Sequence, residues 1–315
     1  MTDTPVEVNA PDISAWSRGS GGIPYVVSLD SGRTGPHVVI TALVHGNELC
    51  GAGALVRLLE CDIRPRSGRL SLAFVNTEAY RRFDPAQPKA SRYLDEDLNR
   101  LWDPATLGGE RRSRELARAR ELRPLIESAD WLLDLHSMQL PARPLLLCGL
   151  CEKGRRLAAK MGYPDLVVAD RGHSNGARMR DFGAFADPES PRTAMLVECG
   201  QHWARASVEV AVATCRRFLE ALEVVGTALL DRLCPRPEMS AQRIVKVTDA
   251  VTVNGGPFRF TQDFHGLEVV PNAGTVIAYD GAKPIRTPYD HCILIMPSRR
   301  LAPGLTAVRL GQFVD

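Results

Sequence analysis

Up to residue 233 the chain keeps returning to short, almost wholly apolar runs, and longer stretches with helical spacing lie between them. "HVVITALV" (37–44), "RLSLAFV" (69–75), "WLLDL" (131–135), "PLLLC" (144–148) and "TAMLV" (193–197) lack the in–out alternation of a half-exposed strand. They are predicted as strands buried on both faces. Residues 48–60, 110–129 and 152–162 are predicted as helices, and 204–233 as one long helix or two joined. Strands alternating with helices require crossover connections, so the expected fold is α/β with a mostly parallel central sheet flanked by helices.

After "CPRPEMS" (234–240) the texture changes to Val, Thr, Ile and Gly, in runs such as "RIVKVTDAVTV", "FRFTQDF", "LEVV", "GTVIAYDG" and "CILIMP". Turn residues separate these runs and no helical stretch intervenes, so a small all-β C-terminal domain of about 75 residues is expected. The division is drawn as 1–235, the α/β domain, and 236–315, the β domain.

Charge excludes little except a nucleic-acid partner. With 39 Lys and Arg against 37 Asp and Glu, the net charge is +2. The locally basic "ERRSRELARARELR" (110–123) interleaves Arg and Glu at helical spacing and is taken as a solvated helix face. No apolar run approaches the ~20 residues of a membrane span. "MTDTPVEVNAPDISAW" lacks the order of a secretory signal, and the eight cysteines are scattered. A reduced, cytoplasmic protein is therefore expected. Cys148-x-x-Cys151 has no second CxxC to complete a zinc knuckle, so it is taken as two small residues at a strand end.

Three predicted strands end on chemistry: the first runs into His45, "WLLDL" into His136 and "TAMLV" into Glu198. In an open parallel sheet, ligands collect beyond the carboxyl ends of the strands. His45 and Glu48 would face apart in a continued strand. They converge if Gly46-Asn47 turns the chain into a helix that starts near Glu48. Two His and one Glu make the three-ligand set of a catalytic zinc with one position open. By itself, however, HxxE reads more readily as a satisfied histidine beside an N-terminal helix acid. Asp134, two residues before His136, shares its face of the strand, as an orienting acid or as a hydrated carboxylate. "YLDEDLNRLW" (93–102) pairs Asn99 with Arg100, a carboxylate clamp.

"HGNELCG", "RYLDEDLNR", "DLHS" and "ECGQHW", in this order, resemble the succinylglutamate desuccinylase/aspartoacylase family of the zinc carboxypeptidase-like superfamily. The resemblance spans roughly residues 45 to 203, and the β-rich tail is similar to that family's C-terminal domain. It implies one zinc ion per chain held by His45, Glu48 and His136, with Glu198 as general base. Arg92, eight residues before Arg100, matches the arginine that polarises the scissile carbonyl, and Asn99 with Arg100 matches the pair that holds the substrate carboxylate. The reaction implied is zinc-assisted hydrolysis of a small N-acyl amino acid.

Further residues are weaker candidates. Arg178 and Arg180, in the Gly-rich "RGHSNGARMRDFGAF", are candidate contacts for an acidic acyl group or a second carboxylate, and His173 lies in the same stretch. The family's aspartoacylase branch uses a C-terminal tyrosine, for which Tyr289 or Tyr279 is a candidate, Tyr289 foremost. His202 and Trp203 either line the cleft or cap the following helix.

The nearest rival reading is a zinc metallocarboxypeptidase acting on a C-terminal residue of a peptide. A non-catalytic metal-containing module is a remote one. A homo-oligomer is left open, and neither the acyl group nor the amino acid is specified.

Overall fold

A computed structural model describes residues 4–172 and 175–314. The strands, in chain order, are β1 (Val26–Asp30), β2 (His37–Ala42), β3 (Arg69–Phe74), β4 (Trp131–Met138), β5 (Leu145–Leu147), β6 (Leu166–Ala169) and β7 (Thr193–Gln201). They are followed by β8 (Arg243–Thr252), β9 (Phe258–Phe260), β10 (Val269–Val270), β11 (Val276–Asp280), β12 (Lys283–Arg286), β13 (Cys292–Ile295) and β14 (Thr306–Val314). The longer helices are α1 (Leu49–Glu60), α2 (Arg114–Ser128), α3 (Glu152–Met161), α4 (Arg205–Ala221) and α5 (Thr227–Leu233). The stretch read as one or two helices is thus two.

The central sheet has eleven strands in the order β1-β3-β2-β4-β7-β5-β6-β8-β14-β13-β10. Pairs β3–β2, β2–β4 and β4–β7 are parallel, whereas β5 runs antiparallel to β7. The expected mostly parallel sheet is therefore present around the strands that end on His45, His136 and Glu198. Along β2 the side chains alternate between two cores. Val38, Ile40 and Ala42 pack with Leu55 and Leu58 of α1 and Phe218 of α4, while Val39 packs with Leu116, Leu122 and Ile126 of α2. Burial on both sides explains why the run reads as continuously apolar. Each such Leu or Ile contributes roughly 1.5–3 kcal/mol on leaving water.

Two features go beyond what the sequence showed. First, the β-rich tail continues the large sheet: β8 pairs in parallel with β6, with Leu166 opposite Arg243, and β14, β13 and β10 follow outward. Only β12, β11 and β9 form a separate three-stranded sheet. The link between the two parts is hydrogen-bonded backbone, which periodicity along the chain cannot reveal. Second, the "solvated" helix face of 110–123 is only partly solvated. Leu116, Ala119 and Leu122 are buried, and so is Glu115, at 1% exposure.

The eight cysteines are all unpaired. Cys148 is buried just past β5, and Cys151 is the N-cap of α3. Among the described residues no helix is long and apolar enough to cross a membrane.

Candidate active site and metal centre

The site is assembled where β2, β4 and β7 end. β2 stops at Ala42, Leu43 takes a left-handed backbone (φ 61°), and the chain then turns through His45 and Gly46 into α1. Gly46 is required for close approach, because a Cβ there would meet Ser91 O and Tyr80 N at 2.5 Å. The backbone angle expected of Gly46 falls on Leu43. Glu48 is the N-cap of α1 and makes no side-chain capping bond, so its carboxylate is turned to the imidazoles instead. Trp203 braces this turn from below, its indole N–H donating to Asn47 O at 3.1 Å.

His45 Nδ1 lies 2.7 Å from Glu48 Oε1, and His136 Nδ1 lies 3.0 Å from Glu48 Oε2. The ligand atoms of the three residues fall within 4.8 Å of one another, and all three residues are buried. The outer ring nitrogens are equally well engaged. His136 Nε2 is 2.9 Å from Asp134 Oδ2, and His45 Nε2 is 2.9 Å from Asp97 Oδ1. With a dication bound, a carboxylate behind each imidazole would hold an N–H outward and leave the other nitrogen's lone pair for the ion, as a metal-bound histidine requires. Two imidazole nitrogens and one carboxylate suit zinc. The donor set therefore fits the metal that the sequence implies. Asp134 is further fixed by Thr41, whose hydroxyl donates to Oδ1 at 2.7 Å.

Electrostatics follow from this crowding. Burial pushes the Glu48 carboxyl up, but His45 and His136 outweigh it and hold the group well below the usual carboxylate range. Burial pushes His136 down, and Asp134 with Glu48 more than reverses that, leaving it well above an ordinary histidine.

Glu198 stands opposite His136 in the β4–β7 register. It is 7% exposed, lines the cavity, and its Oε2 has no hydrogen-bond partner. Burial, with the Glu48 charge adding to it, pushes its carboxyl up to about 8.

A cavity of about 260 Å³ opens over these groups. Arg92 reaches in beside the histidines, with Nη1 donating to Glu48 Oε1 at 3.1 Å and Nη2 3.3 Å from Asp97 Oδ2. Arg100 also lines it. Burial, together with the neighbouring charges of Arg92, Arg309 and Arg178, lowers its guanidinium to about 10 against the opposing effect of Asp97. Asn99 is partly committed to structure: its Oδ1 accepts Met179 N at 2.9 Å, and its Nδ2 lies 3.4 Å from His136 Nε2.

The weaker candidates separate. Arg178 lines the cavity but is locked in internal ion pairs, bidentate to Asp170 (3.0 and 2.7 Å) and through Nε to Asp181 at 2.6 Å. Arg180 is not brought to the cavity among the described residues; it bonds Asp181 and Ala194 O. Tyr289 is also absent from the described cavity walls and hydrogen-bonds Thr248, while Tyr279 lies under the guanidinium of Arg259. A tyrosine's hydroxyl needs only a partner, and here the C-terminal sheet supplies one locally. His173 lies outside the described residues. His202 does line the cavity, with Nδ1 2.9 Å from Ser137 Oγ and Nε2 buried without a partner.

Four contributors escape sequence reasoning. Asp97 sat inside the quoted "RYLDEDLNR", where three acids in a row give no sign of which one turns inward. Ser137, which donates its backbone N–H to Glu48 Oε2 at 3.1 Å, follows His136 directly. Arg309 comes from β14 at the far end of the chain, lines the cavity, and has Nε 3.6 Å from Asp170 Oδ2. The C-terminal β region thus supplies a cation to the site through an arginine. Glu115, hidden in the basic helix, is the fourth.

The family model for the succinylglutamate desuccinylase/aspartoacylase catalytic domain matches residues 34–206. No curated protein matches the chain. Among solved structures, succinylglutamate desuccinylase from Vibrio cholerae superposes with a TM-score of 0.68 at 18% identity, over 93% of this chain and 86% of that one. The same enzyme from Vibrio parahaemolyticus gives 0.65 at 19%, over 93% and 87%. A product-bound ectoine utilization protein from Ruegeria pomeroyi gives 0.62 at 19%, over 92% and 88%. At such identities the structural likeness speaks for the fold alone. The family match, by contrast, covers more than half of the sequence and contains His45, Glu48, Arg92, Arg100, His136 and Glu198, so the chain belongs to the succinylglutamate desuccinylase/aspartoacylase family.

Proposed function

We propose that this protein is a zinc-dependent amidohydrolase that removes the acyl group from a small N-acyl amino acid. The observation that carries the reading is the pairing of a His–Glu–His ligand set with Glu198, a buried carboxylate that lines the same cavity and has one oxygen, Oε2, without a hydrogen-bond partner. A dication held by His45, Glu48 and His136 supplies Lewis-acid polarisation of the acyl carbonyl and acidifies the attacking water.

The chain's own residues do the rest. Glu198 takes the proton of the attacking water and returns it to the departing amine. Arg92 offers N–H groups to the carbonyl oxygen as negative charge develops there, a contribution typically worth ~10²–10³ in rate. Arg100 holds the amino acid's carboxylate. The mutual repulsion among Arg92, Arg100, Arg178 and Arg309 is relieved when an anion enters.

A peptide C-terminus would meet the same groups. The small cavity and its rim from the C-terminal region, including His265, Pro297, Ser298 and Arg300, favour a compact substrate over a peptide. Eight unpaired cysteines support a reducing, cytoplasmic setting.

The test is metal analysis, followed by turnover of a panel of N-acyl amino acids beside short peptides, with Glu198→Gln in parallel. One zinc per chain, and acyl-amino-acid hydrolysis that the variant lacks, is the expected result. Peptide hydrolysis in its place would move the protein to the carboxypeptidase reading. A zinc-loaded protein inert on both sets would make it a binding module.

A further inference from the structure

Four of the site's residues, Arg92, Asp97, Asn99 and Arg100, come from one stretch that contains no strand and only a single 3-10 turn at Leu98–Arg100. An irregular segment wanders unless its backbone polar groups are bound, and a site needs its groups fixed to about half an ångström. The fixing group is Glu115, in the first turn of α2. Its Oε1 accepts Leu94 N at 2.7 Å and Asn76 Nδ2 at 3.1 Å. Its Oε2 accepts Asp95 N at 3.0 Å and Glu96 N at 3.3 Å. Three successive backbone N–H groups thus enclose one buried carboxylate, an anion nest filled by the protein's own side chain.

The contact is reciprocal, because Asp95 Oδ2 accepts Arg114 N, an otherwise orphaned donor at the start of α2, at 2.9 Å. The segment is tied on either side as well, by Gly46 N donating to Arg92 O at 2.9 Å and by Met179 N donating to Asn99 Oδ1. The stretch between is held by Glu115, and Asp97 passes its placement on, since Asp97 Oδ1 accepts Asn99 N at 3.0 Å and Asp97 O accepts Arg100 N at 3.0 Å.

We propose that Glu115 is a positioning residue for the active site: its carboxylate clamps residues 94–96 and thereby sets where Asp97, Asn99 and Arg100 stand. The role rests on the deacylase reading only for its kinetic consequence. Arg92 is anchored independently through Gly46, so loosening the clamp acts mainly on substrate binding and less on the chemical step.

The experiment uses the zinc-loaded protein and the variant Glu115→Gln, which turns an NH₂ group toward N–H donors. Residue-resolved hydrogen exchange is read together with kinetics on the best N-acyl amino acid. The expected result is faster exchange confined to Leu94, Asp95 and Glu96, with KM up about 10–100-fold, as for other outer-layer partners of a site, and kcat within about threefold. Asp95→Ala removes the exposed half of the clamp and should move exchange and KM in the same direction by less; it keeps the proposal testable if Glu115→Gln fails to fold. Unchanged exchange at 94–96 in whichever variant folds overturns the proposal, and so does faster exchange with unaltered KM. If the wild type turns over no acyl amino acid, the deacylase reading fails, and exchange alone decides the clamp.

Discussion

Asp97 Oδ1 lies 2.9 Å from His45 Nε2, the ring nitrogen turned away from Glu48. Asp134 stands in the same relation to His136, also at 2.9 Å. The two ligand histidines are thus each backed by an acid, one from the same strand and one from a loop fifty-two residues on. Removing the negative charge behind an imidazole weakens its basicity and frees its orientation. Asp97→Asn and Asp134→Asn should each lower zinc affinity about 10–100-fold, read by competition with a chromogenic chelator. Wild-type affinity in Asp97→Asn would deny that residue any part in the metal centre.

Glu198→Gln should abolish turnover, leave metal content intact and yet stabilise the metal-free protein. The folded-state pKa of Glu198 is raised from 4.5 to about 8. The native protein therefore keeps a proton that the unfolded chain gives up above 4.5, and stability drains away as pH rises from there toward 8. At pH 7 the accumulated loss is on the order of 3 kcal/mol, and Gln does not incur it. A higher Tm for the variant near neutrality, converging with wild type near pH 4, is the expected pattern. Zinc should shrink the gap, because a dication favours the charged carboxylate. Equal melting temperatures at pH 7 without metal would contradict the burial argument.

Metal binding should release protons and tighten with rising pH. In the metal-free site Asp134 and Glu48 hold His136 well above its ordinary pKa despite burial, so the ligand starts out protonated. The ion must displace that proton. Titration calorimetry in buffers of different ionisation enthalpy should show proton release at pH 7, with affinity rising as the pH is raised. A pH-independent affinity would mean that His136 is neutral before the metal arrives.

Asp170 should contribute to acid resistance. Burial raises its carboxyl, but Arg178 and Arg309 outweigh that and bring it from 3.8 down to about 2. Because the folded pKa is depressed, its stabilisation is present above about pH 4 and is lost as pH falls toward 2. About 2 kcal/mol goes over that interval. Asp170→Asn also leaves Arg178 short of a buried partner, a loss of about 3–5 kcal/mol at neutral pH. Urea unfolding at pH 7 and in steps down to pH 2 should show the two proteins drawing together below pH 4. Curves that stay parallel down to pH 2 would remove Asp170 from the account.

Much of this site was legible in one dimension because its information is local. An almost wholly apolar run such as "HVVITALV", rich in β-branched residues, reads as a strand covered on both faces, and in a parallel sheet such strands deliver their next residues to one rim. His45, Glu48, His136 and Glu198 follow from that, as does Asp134 from the two-residue repeat that puts it on the face of His136. What tertiary structure alone decided is which distant groups come to meet them. Nothing along the chain distinguishes Asp97 from Asp95 and Glu96, or marks Glu115 within a run of arginines, until the loop folds onto the start of α2. Nor does periodicity show that β8 docks on β6, which carries β14 in beside the α/β part and puts Arg309 in the cavity. Helix and strand spacing is written in neighbouring residues, whereas strand partners and loop contacts depend on register and packing across hundreds of positions, and those exist only once the chain has closed on itself.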